Sequence, residues 1–177
     1  MARIIIIYGL IAGLIIIAGI IGTLIAGGDQ PHGNVWLGYL IMLLGMAAVF
    51  MGVKQHRDQA GGGVIRFFPA LGVGLGIALV ASLAYVLIWE VYLAATNYEF
   101  MAQYTAATLE ARRAEGLSGE AYRQLETQMS QMVDQYRSPW FRMPLTFAEI
   151  FPVGLLISIV SAALLRNSRF LPARSRA

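Results

Sequence analysis

The chain has no cysteine, and charged residues make up only 13% of its sequence. The missing cysteines exclude disulfides, thiolate catalysis and cysteine-based zinc or iron sites. Charges are absent altogether from three long apolar stretches, Ile4–Ala26, Val35–Val53 and Phe67–Trp89, which contain 23, 19 and 23 residues. Each stretch matches the roughly 20 helical residues that cross a lipid bilayer. The sequence therefore predicts a membrane protein with several spans.

A fourth apolar stretch is shorter. Its uncharged part, Ile150–Leu165, has 16 residues and reaches bilayer length only if the residues before it join the helix. Thr146 and Glu149 have the spacing of a capping box, in which each side chain bonds the other residue's backbone N–H, so we expect the helix to begin there. Because the apolar stretches are continuous, without the alternation of a β-barrel strand, they favour helices. The predicted fold is all-α, an integral membrane four-helix bundle with spans at residues 4–26, 35–53, 67–91 and 146–165.

Charge predicts the orientation of this bundle. With a cytoplasmic amino terminus, the inner side has eight basic residues and one acidic residue, whereas the outer side has five basic and nine acidic residues. Since Lys and Arg in short loops stay inside, both termini should be cytoplasmic. The net charge of +3 is then explained by basic residues that contact anionic lipid headgroups, and it does not indicate nucleic-acid binding. Lys54, Arg57 and Arg66 are the candidate headgroup contacts.

Residues 94–137 lie between the third and fourth spans and predict an extramembrane helical hairpin. The third helix should continue outward or bend near Asn97, Gly116 should end the first arm, and Ser118 is the expected N-cap of the second. The second arm has an apolar stripe at helical spacing, formed by Tyr122, Leu125, Met129, Met132 and Tyr136. This stripe is either the hairpin's own core, a face for a partner protein or a surface that lies on the outer leaflet.

Small residues recur at close-packing intervals within the spans. Gly9 with Gly13, and Gly72 with Gly76, lie four residues apart, and Gly154, Ser158 and Ala162 repeat the pattern. Gly38, Gly45 and Gly52 recur every seven residues along the second span. Such faces let helix backbones approach closely, so we expect packing within the bundle, with self-association into a homo-oligomer as the alternative.

The loop after the second span has a distinctive order. Lys54 to Asp58 is a basic stretch ending in Arg-Asp, Gly61-Gly62-Gly63 follows, and Val64 to Phe68 leads into the third span. The glycines lack the spacing and the Lys-Ser/Thr ending of a phosphate-binding P-loop, which favours a turn. Together with Tyr8-Gly9-Leu10 near the amino terminus and the four-span layout, this loop resembles the bacterial membrane-protein family known as domain of unknown function 4199. The resemblance implies a small inner-membrane protein and no known activity.

Ionisable groups are also missing from the middle of every span, where transporters place them. Glu90 and Glu149 lie at the outer boundary, and Arg142 returns to a depth at which it could pair with Glu90. These three are the candidate functional residues. No catalytic set, metal site or cofactor site can be assembled, and His32 in the turn Gly27–Asn34 has no companion ligand.

We therefore expect a non-catalytic scaffold or accessory subunit that binds a membrane or periplasmic partner. The alternative is a small transporter or lipid-handling protein that uses Glu90 and Glu149.

Overall fold

The computed structural model describes residues 1–26 and 35–173, which form six helices and no strand. The predicted turn at Gly27–Asn34, with His32, lies outside these described residues. The helices are α1 (Ala2–Ala26), α2 (Val35–Ala60), α3 (Phe67–Ala95), α4 (Phe100–Ala114), α5 (Gly119–Tyr136) and α6 (Pro139–Leu165). Four of them, α1, α2, α3 and α6, are long and apolar enough to span a membrane.

The four apolar helices pack into one bundle with α3 at its centre, in contact with α1, α2 and α6. Its interior contains fully buried Ile16, Met46 and Ile77, whereas Leu44, Leu87 and Leu156 point outward and are more than half exposed. Large exposed aliphatic side chains around the whole circumference are expected where the surrounding solvent is lipid hydrocarbon. We call the end of the bundle next to α4 and α5 the hairpin end, and the opposite end, with Met1 and the end of α6, the terminal end.

The fourth apolar helix begins seven residues earlier than predicted. Pro139 is its first residue, a position where the missing N–H is not needed by the helix, and Pro144 and Pro152 lie inside it. Thr146 is therefore in the helix interior and not at its N-cap, which is Ser138. The expected capping box between Thr146 and Glu149 is wrong, because a capping box needs the free backbone N–H groups of a first turn.

The helix α3 ends at Ala95, and the chain turns sharply near the predicted bend. Asn97 and Tyr98 adopt positive φ angles of 52° and 59°, and the Tyr98 N–H bonds the Leu93 carbonyl at 2.8 Å. A hydrogen bond between residues five positions apart closes the end of a helix in a Schellman motif, usually with glycine or asparagine in the left-handed position. Tyr98 is strained in that conformation, so something outside the turn must hold it there.

The helices α4 and α5 pack against each other and form the α4–α5 hairpin. Gly116, with φ of 94°, ends the first arm as predicted, and the Leu117 N–H closes it on the Arg112 carbonyl at 2.9 Å. Ser118 occupies the N-cap position of α5 in an extended conformation, although its side chain makes no capping bond. The predicted position is therefore correct and the predicted bond is absent.

Glycines in α1 permit its close contact with α3. A Cβ atom on Gly13 would lie 2.9 Å from both the Ala81 carbonyl oxygen and the Ala84 side chain, while one on Gly9 would lie 2.5 Å from Val80. Gly72 and Gly38 have nothing within 4 Å of an added Cβ, so these two positions do not serve packing within the bundle.

We expect Gly13→Ala to destabilise the protein by about 1–3 kcal/mol relative to Gly72→Ala, because only the first methyl group would overpack a helix contact. Both substitutions bring the same gain in helix propensity, which the comparison cancels. Thermal unfolding of the two variants in the same detergent measures the difference. Equal melting temperatures would show that α1 can move away from α3 at little cost.

Candidate functional site

An ion pair joins α3 to α6 at the hairpin end. The Arg142 guanidinium donates two parallel hydrogen bonds to the Glu90 carboxylate, Nε to Oε1 at 2.7 Å and Nη2 to Oε2 at 2.5 Å. The side chains are only 4% and 15% exposed, respectively. Bidentate geometry of this kind is the strongest arrangement available to arginine and carboxylate. The structure therefore brings together two of the three candidate functional residues, in the pair that their similar depth suggested.

The same guanidinium also holds the base of the α4–α5 hairpin. Its Nη1 donates to the backbone carbonyls of Arg137, at 2.8 Å, and Tyr136, at 3.3 Å, where α5 ends. The Arg142 Cζ lies 4.8 Å from the centre of the Tyr98 ring, in a cation–π contact. One side chain thus contacts α3, the strained turn before α4 and the end of α5.

A second polar contact lies beside the ion pair. Trp89 Nε1 donates to the Tyr136 hydroxyl oxygen at 2.9 Å, and the Thr146 side chain also bonds that hydroxyl. Burial raises the pKa of Tyr136, which keeps its hydroxyl protonated. This contact fixes the last turn of α5 to both α3 and α6.

Glu149 lies apart from the ion pair, seven residues further along α6 than Arg142. At 1.5 Å per residue this places it about 10 Å deeper in the bundle. Since α6 begins at Pro139, Glu149 is more than two turns inside the helix and is not at its start. No hydrogen bond or ion pair joins its side chain to another residue of the described chain. The structure does not bring Glu90 and Glu149 together, because Glu90 is bound to Arg142.

Glu149 lines a cleft of about 370 Å³ beneath the α4–α5 hairpin, which we call the aromatic cleft. It is the one charged residue of this lining, and all six helices contribute to the walls. The lining residues are Ile20, Leu24, Met42, Tyr85, Trp89, Phe100, Met101, Tyr104, Met132, Tyr136, Leu145 and Glu149. The sequence does not reveal this cleft, because its rings come from three helices whose proximity depends on the turn at Tyr98.

The apolar stripe of α5 forms the covered side of that helix. Tyr122, Leu125, Met129 and Tyr136 are half-buried, and Met132 remains 39% exposed. The helix α5 packs mainly against α4 and α6, and Met132 and Tyr136 line the aromatic cleft. The stripe is therefore partly covered within the protein, and Met132 and Tyr136 border the cleft.

At the terminal end, Arg57 is fully buried and is therefore not free to contact lipid headgroups, contrary to the expectation. Its Nε donates to Asp58 at 2.8 Å, and its two terminal nitrogens donate to the carbonyls of Phe170 and Leu171, at 2.9 and 2.5 Å. The basic stretch at the end of α2 indicates charge near the membrane surface, but it does not indicate which cation is covered by the chain after α6. Lys54 pairs with the same Asp58 at 2.5 Å, and Arg66 is exposed.

The glycine loop closes the end of α2. Gly61 and Gly63 both donate their backbone N–H to the Arg57 carbonyl, at 3.0 and 3.2 Å, and Gly62 and Gly63 have φ angles of 57° and 88°. Left-handed residues after a helix are the usual requirement of its C-cap, and glycine meets it without strain. The glycines therefore serve the turn that the sequence favoured.

These features define the class of the protein: it is a helical membrane protein with four apolar helices and a polar helical pair between the last two. A family model described as "Protein of unknown function (DUF4199)" matches residues 7–167. The chain belongs to this family, as its resemblance predicted. No curated protein and no solved structure matches it.

Proposed function

We propose that the protein is a non-catalytic scaffold or accessory subunit of the bacterial inner membrane, which presents the α4–α5 hairpin to a partner protein on the periplasmic side. The observation that carries this proposal is the attachment of the hairpin through Arg142. A guanidinium with contacts to three segments fixes the hairpin on the bundle as a rigid projection. Rigid presentation lowers the entropy cost of binding, which an unattached polar loop would incur in full.

The face of α5 opposite its apolar stripe suits this role. It carries a shallow groove of about 340 Å³ with polar and charged walls, formed by Glu120, Arg123, Gln124, Thr127, Gln128 and Gln131. Such a surface has hydrogen-bond donors and acceptors for a hydrophilic partner domain, whereas four of the five stripe residues are half-buried.

The proposal can be tested with a photo-crosslinking residue at Gln128 in living cells. We expect one discrete protein adduct, because the side chain lies in the polar groove of α5. The same residue at Leu156, which points away from the bundle, should react with lipid and serves as the control. An absence of protein adducts at Gln128, Arg123 and Gln131 alike would contradict a partner on this face.

The orientation is a separate prediction, supported by the basic residues of the terminal end. Because the chain has no cysteine, single cysteines can be introduced at Gly62, Ala173 and Gly119 without background. In intact cells, an impermeant thiol reagent should label Gly119→Cys and leave Gly62→Cys and Ala173→Cys unlabelled. Labelling of Gly62→Cys before permeabilisation would reverse the orientation.

The aromatic cleft favours a second candidate function, a small transporter or lipid-handling protein. In that alternative Glu149 would act without Glu90, since the Glu90 carboxylate is bound to Arg142. Loss of a cellular phenotype in Glu149→Gln, at unchanged abundance, would favour this alternative over the scaffold.

A further inference from the structure

The walls of the aromatic cleft are built from rings in mutual contact. Trp89 lies nearly parallel to Tyr85, with centroids 6.4 Å apart and an angle of 4° between the rings. Phe100 meets Trp89 edge to face at 5.0 Å and stacks on Tyr104 at 6.3 Å. The contact between Trp89 and Phe100 joins α3 to α4, and the ring contacts together form a preorganised wall of the cleft.

Glu149 supplies the single charge of this cleft. Its side chain is exposed and has no hydrogen-bond or ion-pair partner among the residues described. Glu90 differs in this respect, because its carboxylate accepts two hydrogen bonds from Arg142. The other lining residues of the cleft carry no charge, so Glu149 is the one countercharge that this lining offers to a bound cation.

A second, smaller depression adjoins the cleft on the surface between α2 and α6. It has a volume of about 230 Å³ and is lined by Gly38, Tyr39, Met42 and Glu149. Met42 and Glu149 belong to both linings, so the carboxyl group lies between the cleft and the lipid-facing surface of the bundle. Gly38 leaves open space at this point, since an added Cβ would have no neighbour within 4 Å.

We propose that the aromatic cleft binds a hydrophobic organic cation, an ammonium group with an apolar substituent, whose charge is held by Glu149 beside the half-buried rings of Phe100, Tyr104 and Tyr136. Aromatic rings attract ammonium groups electrostatically, most strongly when water is excluded. The volume lies within the 300–1,000 Å³ that is usual for small-molecule sites. The depression at Gly38 gives such a ligand a lateral route from the membrane. This site is independent of the proposed partner face on α5.

The test uses the full chain in dodecyl maltoside micelles, which contain no ammonium group, with benzyltrimethylammonium as the probe. Trp36 and Trp140 are 79% and 91% exposed, so both can be replaced by phenylalanine to leave Trp89 as the fluorescent reporter in the cleft. We expect a saturable change in the fluorescence of Trp89. The neutral carbon isostere neopentylbenzene should bind at least about tenfold more weakly, since it lacks the charge that the rings and the carboxyl group recognise.

Glu149→Gln should also weaken binding of the probe by about tenfold, while leaving the affinity for the isostere unchanged. The matched control is Glu120→Gln on the outer groove of α5, which should keep the parent affinity. Equal affinity of Glu149→Gln and the parent for the probe would overturn the proposal. So would equal affinity of the parent for probe and isostere, a comparison that needs no variant at Glu149 and remains valid if that variant fails to fold.

A further titration identifies the source of the ammonium group. Adding a short-chain phosphatidylethanolamine to the micelles should displace the probe if a lipid headgroup occupies the cleft. Retention of the probe at saturating lipid assigns the cleft to a free organic cation.

Discussion

Arg142→Leu should lower the free energy of unfolding by about 3–5 kcal/mol, the usual cost of removing one partner from a buried ion pair. The loss has two sources. Glu90 would keep a nearly buried charge without its bidentate donor, and the carbonyls of Tyr136 and Arg137 would lose theirs. Denaturant unfolding in micelles measures the total. The matched control is Arg112→Leu, whose partner Glu115 is exposed on the hairpin surface and whose loss should cost less than about 1 kcal/mol.

The same substitution should release the hairpin before it unfolds the bundle. Without Arg142, the turn at Tyr98 loses its cation–π contact, and the base of α5 loses two of the side-chain hydrogen bonds described there, while those of the Tyr136 hydroxyl remain. Limited proteolysis should therefore cut within residues 94–137 much faster than in the parent. A double variant, Glu90→Leu with Arg142→Leu, should regain part of the stability, because it removes the unpaired charge. If Arg142→Leu and the double variant proved equally unstable, the lost bonds to the two carbonyls would account for most of the destabilisation.

The spans could be predicted from the sequence because their physical cause is local. An uncharged stretch such as Ile4–Ala26 must be helical in lipid whatever it packs against, since each backbone group needs an internal partner. The ends of the spans were less predictable. The helix α2 continues to Ala60 through a basic stretch, because Lys54 and Arg57 find Asp58 within one turn.

The start of α6 shows the limit of local rules more clearly. Thr146 and Glu149 satisfy the sequence pattern of a capping box, yet the helix already starts at Pro139. The pattern describes what a first turn needs but does not determine where that turn occurs. The observed start has Pro139 in the first helical position, which suits proline, and it places Arg142 within the first turns, where its side chain bonds Glu90 and the end of α5.

Only part of the candidate site could be predicted from the sequence, because only part of it depends on local features. Glu90 and Arg142 are rare charges near apolar spans, which makes their pairing predictable from depth alone. The aromatic cleft has no such signal: Tyr85 and Trp89 look like ordinary interfacial residues, and Phe100 and Tyr104 like the apolar side of a hairpin arm. Their convergence depends on the left-handed turn at Asn97 and Tyr98, a tertiary arrangement that the sequence indicates only as a bend.

At the terminal end, Arg57→Leu should destabilise the protein by about 2–4 kcal/mol, because two backbone carbonyls and Asp58 would lose a buried charged donor. Lys54→Leu removes the other cation bound to Asp58 and is the matched control. It should cost less than about 1 kcal/mol, since Lys54 is 26% exposed and bonds no group other than that carboxylate among the described residues.

The two variants should also differ in the segment after α6, which distinguishes a clamp from a general loss of stability. Arg57 holds the carbonyls of Phe170 and Leu171, and the Phe170 ring meets Phe50 edge to face at 6.4 Å. In Arg57→Leu this segment should detach, and trypsin should cleave after the exposed Arg169 much faster than in Lys54→Leu or the parent. If cleavage stayed slow in Arg57→Leu, the ring contact with Phe50 would be sufficient to hold the segment, and the buried guanidinium would serve α2 alone.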